Sequence, residues 1–445
     1  MPKSFKIITL GCKVNQYESA YLSESLEHAG LIRASEGEGA DIHIINTCIV
    51  TRTASHQSRQ EIRKAIREKP DAVVIATGCY AQVYPEELLG IDGISLIVGN
   101  TDKAKITELV LQGLRPGQGV IISKDFKKNA KFEFLPIRRF PDRARAFLKI
   151  QDGCQCYCSY CIVPLARGPY RSLPREDVLN MLERLAGQGY REVVLTGIHL
   201  GMYGVDLKNG TDLGRLLVTV RNERLPLRIR LSSLEINEIN EGLLEMMASE
   251  GFLCKHLHIP LQSGDDRILK RMNRHYTTRQ FAQTIRMVHD KAPLAAIGID
   301  IMAGFPGEDI SSHGNTCALI DDLPISYLHV FPFSPRPGTA AFLLGERVDP
   351  QSIKKRAAEL RDLGQKKKMA FFQRCLNKDF PVLAERWHSE KEGIIRGTSD
   401  NYLPVLFPLT EKSNWFIPVR MEGVENNLLL GRAVSKGVKK LVLLT

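Results

Sequence analysis

Apolar positions along the chain follow two alternating periods. Over the first hundred residues, Lys6–Leu10, Asp41–Asn46, Ala72–Thr77 and Ile94–Val98 are short, rich in Ile and Val, and bounded by turn residues. They read as buried strands. Between them, Glu18–Ala29 and Ala54–Glu68 space their apolar residues as helices do. Such alternation predicts a parallel sheet covered by helices. A second alternating region begins at Ala146. Its predicted strands are Phe147–Gln151, Glu192–Leu195, Arg228–Leu231, His256–Pro260, Ala296–Met302 and Tyr327–Phe331, with helices such as Arg175–Gly187 and Thr278–Lys291 between them. Six units predict an incomplete parallel (β/α)6 barrel, since closure takes eight. Gln351–Arg374 reads as one long helix. Beyond it, Phe380–Arg386, Glu392–Thr398, Tyr402–Leu406, Trp415–Met421 and Leu428–Val434 read as short strands of a small β-barrel.

The expected fold class is therefore α/β in three parts. Residues 1–115 form an N-terminal parallel α/β domain and 116–145 a linker. Residues 146–350 form the barrel, 351–375 a connecting helix, and 376–445 a C-terminal β-barrel. A chain of 445 residues has room for this many cores.

Charge adds a partner. The formal net charge is +11, which favours an anionic partner, and nucleic acid is the commonest large one. A basic enzyme without such a partner is the alternative. The cations concentrate in two places. The linker carries Lys124, Lys127, Lys128, Lys131, Arg138, Arg139, Arg143 and Arg145, either as a solvated loop or as a polyanion contact. The long helix carries eight cations against Glu359 and Asp362. No run of eighteen apolar residues is present, so no membrane-spanning helix is expected. Met1–Lys6 lacks a secretory apolar run, and the expected location is cytoplasmic.

In that compartment the ten cysteines are expected to be reduced, and clustered ones point to metal or catalysis. Cys154, Cys156, Cys158 and Cys161 fall within eight residues. Cys154, Cys158 and Cys161 give C-x3-C-x2-C: three thiolates on a tight loop that can hold three irons of a [4Fe–4S] cube and leave the fourth open. An open iron on a reducing cluster can bind S-adenosylmethionine (SAM) and pass it an electron. The loop follows a predicted strand, at the edge where parallel barrels keep their active sites. A zinc site with Cys156 as fourth ligand is the alternative. Cys156, standing between two ligands, is expected to point elsewhere. Cys12, Cys48 and Cys79 each lie just after a predicted strand of the first domain, so one sheet edge should gather them into a second three-cysteine site. Packing cysteines are the alternative there, and the reading given to Cys254, Cys317 and Cys375.

Leu10-Gly-Cys-Lys-Val-Asn-Gln-Tyr-Glu18, Asn46-Thr-Cys48, Thr77-Gly-Cys79 and the C-x3-C-x2-C loop together resemble the radical SAM methylthiotransferases, over nearly the whole chain. The form Gly-Cys-Lys-Val-Asn-Gln resembles the MtaB branch, which acts on threonylcarbamoyladenosine at position 37 of tRNA. It departs from the Gly-Cys-Gln-Met-Asn of the isopentenyladenosine branch and the Gly-Cys-Pro-Lys-Asn of the ribosomal-protein branch. Gly397-Thr-Ser-Asp-Asn-Tyr402 resembles the TRAM domain, an RNA-binding β-barrel; a structural lid over the SAM domain is the alternative.

The resemblance implies two [4Fe–4S] clusters and SAM. Cys154, Cys158 and Cys161 would ligate the SAM cluster, and Cys12, Cys48 and Cys79 the auxiliary one. Tyr160 would pack near the adenine of SAM. Further SAM contacts would come from Thr196, Gly197, Ser232, Ser233, Gln262, Gly304, Gly307 and Glu308, with Arg271 and Arg274 able to hold a carboxylate or to face solvent. Partners would be the tRNA anticodon loop and an electron donor such as flavodoxin or ferredoxin. A non-catalytic zinc-containing RNA-binding protein is the rival class.

Overall fold

The computed structural model describes residues 2–35, 37–140, 143–208, 210–249, 251–389, 393–409 and 415–434. The Ile/Val runs of the first region form strands because both of their faces are covered: Ile42–Thr47 and Val73–Gly78 are buried throughout. The sheet is parallel, in the order Ile32–Arg33, Ser4–Thr9, Ile42–Thr47, Val73–Gly78, Leu96–Val98, Val120–Ile122. The last of these lies in the stretch read as linker. Val120-Ile-Ile122 pairs with Leu96–Val98 and extends the N-terminal sheet past residue 115. The stretch is anchored again further on, where Leu135, Ile137 and Phe140 are buried in the core of the barrel. These apolar residues are isolated among cations, so the sequence shows no period there.

The barrel consists of two parallel three-stranded sheets. One is Ala146–Lys149, Glu192–Thr196 and Arg228–Leu231; the other is His256–Gln262, Ala296–Ala303 and Tyr327–Pro332. Among the described residues a single bridge, Ile229 to Leu253, marks the joint between them. Leu257, Ile259, Ile299 and Ile301 join the large core beneath the helices. The alternate positions, His258 and Asp300 among them, point to the other face of the sheet. The N-terminal helix Lys13–His28 packs on the first barrel strand, and its Tyr17 is buried in the barrel core, donating its hydroxyl to Leu135 O at 2.6 Å.

The helix Pro350–Cys375 leads to a closed five-stranded barrel, Asp379–Ser389, Ile394–Ser399, Pro404–Pro408, Leu428–Ala433 and Phe416–Glu425 in spatial order. The expected start of its second strand, Glu392, and residues 435–445 lie outside the described residues. Several cations of the long helix are committed locally: Arg356 to Glu308 at 2.7 Å, Lys367 to Asp321 O and Lys368 to Asn427 O. Lys354, Lys355, Arg361 and Lys366 are exposed.

The C-terminal barrel is fastened to the larger one through Glu192. This buried carboxylate accepts from Arg228 at 2.6 Å and from Arg230 at 2.8 Å. The two arginines then donate onward to the C-terminal domain, Arg228 to Pro381 O at 3.0 Å and Arg230 to Ser399 O at 2.9 Å. Arg228 also lies 3.9 Å from the ring centre of Phe416, a desolvated cation–π contact.

Candidate active site at the domain seam

Cys12, Cys48 and Cys79 lie at the carboxyl ends of adjacent parallel strands, as the sequence predicts. Two glycines permit the turns that present them. Gly11 has φ +95°, and a Cβ there would sit 3.0 Å from Cys48 Sγ. Gly78 has φ +94°, and its Cβ would meet Asn46 Oδ1 and Thr47 O at 2.5 Å. Asn15 ties two of the strand ends together, donating to Leu10 O at 2.8 Å and Thr47 O at 3.0 Å. Cys48 and Cys79 are buried and Cys12 is exposed. Burial, with Cys79 and Cys12 close by, pushes the Cys48 thiol up to about 12.

The barrel loop reaches the same place from the other side. Its first turn after Cys161 is the short helix Val163–Arg167. Arg167 is buried and donates Nε to Cys79 Sγ at 3.3 Å, Nη2 to Asn15 Oδ1 at 2.5 Å and Nη1 to Glu18 at 2.5 Å. Asn100 directs its amide at Cys79 Sγ at 3.8 Å and at Ala166 O at 2.8 Å. Beneath them Glu18 collects Lys103 of its own domain and Lys149 of the first barrel strand, the latter at 3.3 Å. Burial alone would raise the Glu18 carboxyl, but Arg167, Lys103 and Lys149 hold it well below the usual carboxylate range. The two cysteine loops are thus joined by a buried ionic network.

The barrel cysteines are half-buried and free. Desolvation pushes the Cys161 thiol up to about 12. Arg274 directs Nη1 at Cys158 Sγ at 3.5 Å and at Glu235 at 3.0 Å; it neither faces solvent nor stands free. Cys156 corrects the sequence reading. It points into the site, with His199 Nδ1 at 3.3 Å and Tyr170 Oη at 3.4 Å. His199 Nδ1 is also 3.7 Å from Cys154 Sγ, and its Nε2 meets Glu238 at 2.5 Å. The backbone directly after Cys156 takes a left-handed turn at Tyr157, φ +47°. His199, Glu238, Tyr170 and Arg274 come from distant loops that no spacing in the sequence connects.

The expected SAM contacts separate into groups. Thr196 and Gly197 end the second barrel strand beside Ser232, whose hydroxyl accepts from Gly197 N at 3.4 Å; Ser233 is exposed. Gln262 ends the fourth strand with φ +65°. Tyr160 packs edge-on against Phe305, with centroids 6.5 Å apart. At Gly304, Gly307 and Glu308 the close neighbours are protein groups. A Cβ on Gly304 would strike Ile353 of the long helix, and one on Gly307 would strike the Arg271 guanidinium. Glu308 accepts from Gly304 N at 3.1 Å and from Arg356 at 2.7 Å. Gly304 and Glu308 close the barrel against the long helix. Arg271 pairs with Glu346 at 3.2 Å.

A model described as the radical SAM superfamily matches residues 148–320, and one described as uncharacterized protein family UPF0004 matches residues 4–99. The threonylcarbamoyladenosine tRNA methylthiotransferase MtaB of Bacillus subtilis is 38% identical over 91% of this chain and 90% of its own. The Thermotoga maritima protein of the same name is 34% identical over 90% of each. The tRNA-2-methylthio-N(6)-dimethylallyladenosine synthase of Pelotomaculum thermopropionicum is 31% identical over 91% of this chain and 92% of its own. This chain belongs to the radical SAM methylthiotransferases. Among solved structures, the radical SAM methyltransferase TsrM from Kitasatospora setae, with cobalamin and a [4Fe–4S] cluster, shares the fold at a TM-score of 0.55 and 14% identity, each chain covered to 77%.

The family brings SAM and [4Fe–4S] clusters, and the donor chemistry here fits. Free thiols in desolvated surroundings stay protonated until a metal displaces the proton. The N–H donors of Arg167 and Asn100 at Cys79, and of Arg274 at Cys158, suit sulfurs that carry negative charge. Family membership makes the chain an enzyme and removes the zinc-containing RNA-binding protein as a rival.

Proposed function

We propose that this enzyme methylthiolates C2 of N6-threonylcarbamoyladenosine at position 37 of tRNA. The reading rests above all on relatives of that name at 33–38% identity along most of the chain. The bond to be replaced is an aromatic C–H, which no protein acid or base removes at neutral pH. SAM and the iron–sulfur clusters supply radical chemistry able to break that bond, together with a methylated sulfur to put in its place.

The protein's own part is placement. Cys154, Cys158 and Cys161 would hold the SAM cluster, and Cys12, Cys48 and Cys79 the auxiliary one. Arg274 and Arg167 steady one sulfur of each set. Thr196, Gly197, Ser232 and Gln262 stand at strand ends where SAM would bind. Glu18 and its three cations fix the two loops relative to one another, so that an adenine placed between them meets both. The C-terminal barrel and the exposed lysines of the long helix suit the phosphates of an anticodon loop. An extruded base fits the general pattern of RNA recognition at loops. An electron donor such as flavodoxin or ferredoxin, and a cytoplasmic location, complete the proposal.

The test is mass spectrometry of tRNA nucleosides from cells with and without the gene. Loss of the methylthio form of threonylcarbamoyladenosine, with its precursor accumulating, is the expected result. Loss of methylthio from the isopentenyladenosine derivative instead would overturn the substrate. No change in any tRNA nucleoside would favour a ribosomal-protein residue.

A further inference from the structure

Lys13 follows Cys12 directly and opens the helix that packs against the first barrel strand. Its side chain is half-buried, yet its ammonium has no hydrogen bond or ion pair among the described residues. The charged groups that bear on it are Arg145, Arg230, Cys12 and Asp300. Both arginines and Asp300 are already engaged, and Cys12 Sγ lies 3.8 Å from Asn15 Oδ1. Arg145 pairs with Glu385 at 2.7 Å and Arg230 with Glu192 at 2.8 Å. Asp300 accepts from His258 Nε2 at 2.9 Å and lies 3.4 Å from His329 Nδ1. Among the described residues Lys13 thus has no hydrogen-bonded counter-ion of its own, and it stands beside Cys12 of the auxiliary set with two arginines near it. A partly desolvated charge of this kind is unfavourable until an anion meets it.

The substrate carries such an anion. In adenine, C2 and C6 are both bonded to N1, so a substituent on N6 leaves the ring on the same edge as C2. A base that offers C2 to the auxiliary site therefore carries its N6 group past Cys12. Threonylcarbamoyl ends in a carboxylate and a hydroxyl; dimethylallyl is apolar throughout. We propose that Lys13 binds the carboxylate of the threonylcarbamoyl group and thereby selects this substrate over adenosines with an uncharged N6 group. His258 and His329, both close to Asp300, would offer ring nitrogens to the hydroxyl and urea. His329 and Arg145 also line a cleft of about 370 Å³ that runs on to Tyr402 and Arg396 of the C-terminal barrel, a route by which the modified nucleotide would enter.

The inference rests on the substrate proposed above, and its test separates the two. The full-length holoenzyme is assayed on one tRNA in two forms, with the threonylcarbamoyl carboxylate free or as its methyl ester. Wild type is expected to lose on the order of 100-fold in kcat/KM on esterification, the scale of a desolvated charge pair. Lys13→Met should bring the free acid down by a similar factor and respond little to the ester. Lys13→Arg should recover most of the preference. Iron content equal to wild type shows that the variants are assembled. Were wild type indifferent to esterification, or Lys13→Met as sensitive to it as wild type, the Lys13 assignment would fall while the substrate stood. Wild type inactive on both forms but active on dimethylallyladenosine tRNA would remove the substrate proposal and this one with it.

Discussion

Arg167 Nε lies 3.3 Å from Cys79 Sγ, across the boundary between the N-terminal domain and the barrel. The donor sits six residues beyond Cys161, and the acceptor belongs to the other cysteine set. The same guanidinium bonds Glu18 and Asn15, both from the first motif of the chain. A side chain placed there couples the spacing of the two sites to the integrity of a buried ion network.

Removing it should therefore cost both. Arg167→Met leaves Glu18 buried with two of its three cations and takes a donor from Cys79. Breaking a buried pair from one side typically costs about 3–5 kcal/mol. The expected outcome is a drop in thermal stability of that order and loss of auxiliary iron ahead of barrel iron. Thermal unfolding and iron analysis in a Cys154→Ala background, where only the auxiliary site can fill, would check it. Unchanged iron in that background would mean that Arg167 does not support the auxiliary site.

The cysteines should divide by function rather than by proximity. Each [4Fe–4S] cluster contains four irons, so wild type should bind about eight after anaerobic reconstitution. Alanine at Cys154, Cys158 or Cys161 should bring this to about four, and so should alanine at Cys12, Cys48 or Cys79. Cys156→Ser should keep about eight, although Cys156 Sγ stands only 3.3 Å from His199. Iron and sulfide analysis with electron paramagnetic resonance of the reduced protein decides it. A Cys156→Ser protein with about four irons would make Cys156 a ligand.

The order of strands and helices was legible because both faces of the parallel strands are apolar and the helices keep a 3.6 period. Arg175–Gly187 and Thr278–Lys291 lie where the pattern puts them. The convergence of Cys12, Cys48 and Cys79 was legible for a topological reason, since parallel strands share one carboxyl edge. The ionic layer was not. Glu18, Lys103, Lys149 and Arg167 are far apart in sequence, and each alone reads as a surface charge; only the docking of two domains buries them. Gly304 and Gly307 were legible only in part. A glycine requirement is visible in sequence, but whether the close neighbour is a ligand or Ile353 is not.

Glu192 gives the attachment of the C-terminal barrel a defined pH response. Burial would raise its carboxyl, but Arg230, Arg228 and Arg145 hold it well below its ordinary value of 4.5. A group lowered on folding contributes stability that is present above its unfolded value and is lost as pH falls toward the folded one. The wild-type advantage over Glu192→Gln should thus be constant from pH 8 to about 5 and shrink below that. Its size at neutral pH should be about 3–5 kcal/mol. Thermal unfolding of both proteins across this range, with proteolysis to report release of residues 376–445, would measure it. An advantage that grew on acidification would contradict the assignment of the charged form.

Gly78 is the most exacting single position at the auxiliary site. Its φ of +94° lies where L side chains rarely go, and an added Cβ would stand 2.5 Å from Thr47 O and Asn46 Oδ1. Neither neighbour can yield cheaply. Thr47 O accepts from Asn15 at 3.0 Å, and the Asn46 amide donates to Asn15 O at 2.9 Å and Ser19 Oγ at 3.0 Å. Alanine at 78 must therefore move the strand end and carry Cys79 with it. Backbone strain of this kind costs about 1–3 kcal/mol, small against the stability of the sheet, so the protein should still fold. Cys79 would nonetheless be drawn away from Cys12 and Cys48. Gly78→Ala should accumulate as folded protein with near-native circular dichroism, bind about four irons instead of eight, and still cleave SAM at the barrel site. A variant with full iron would show that the sheet edge has more slack than its hydrogen bonds imply.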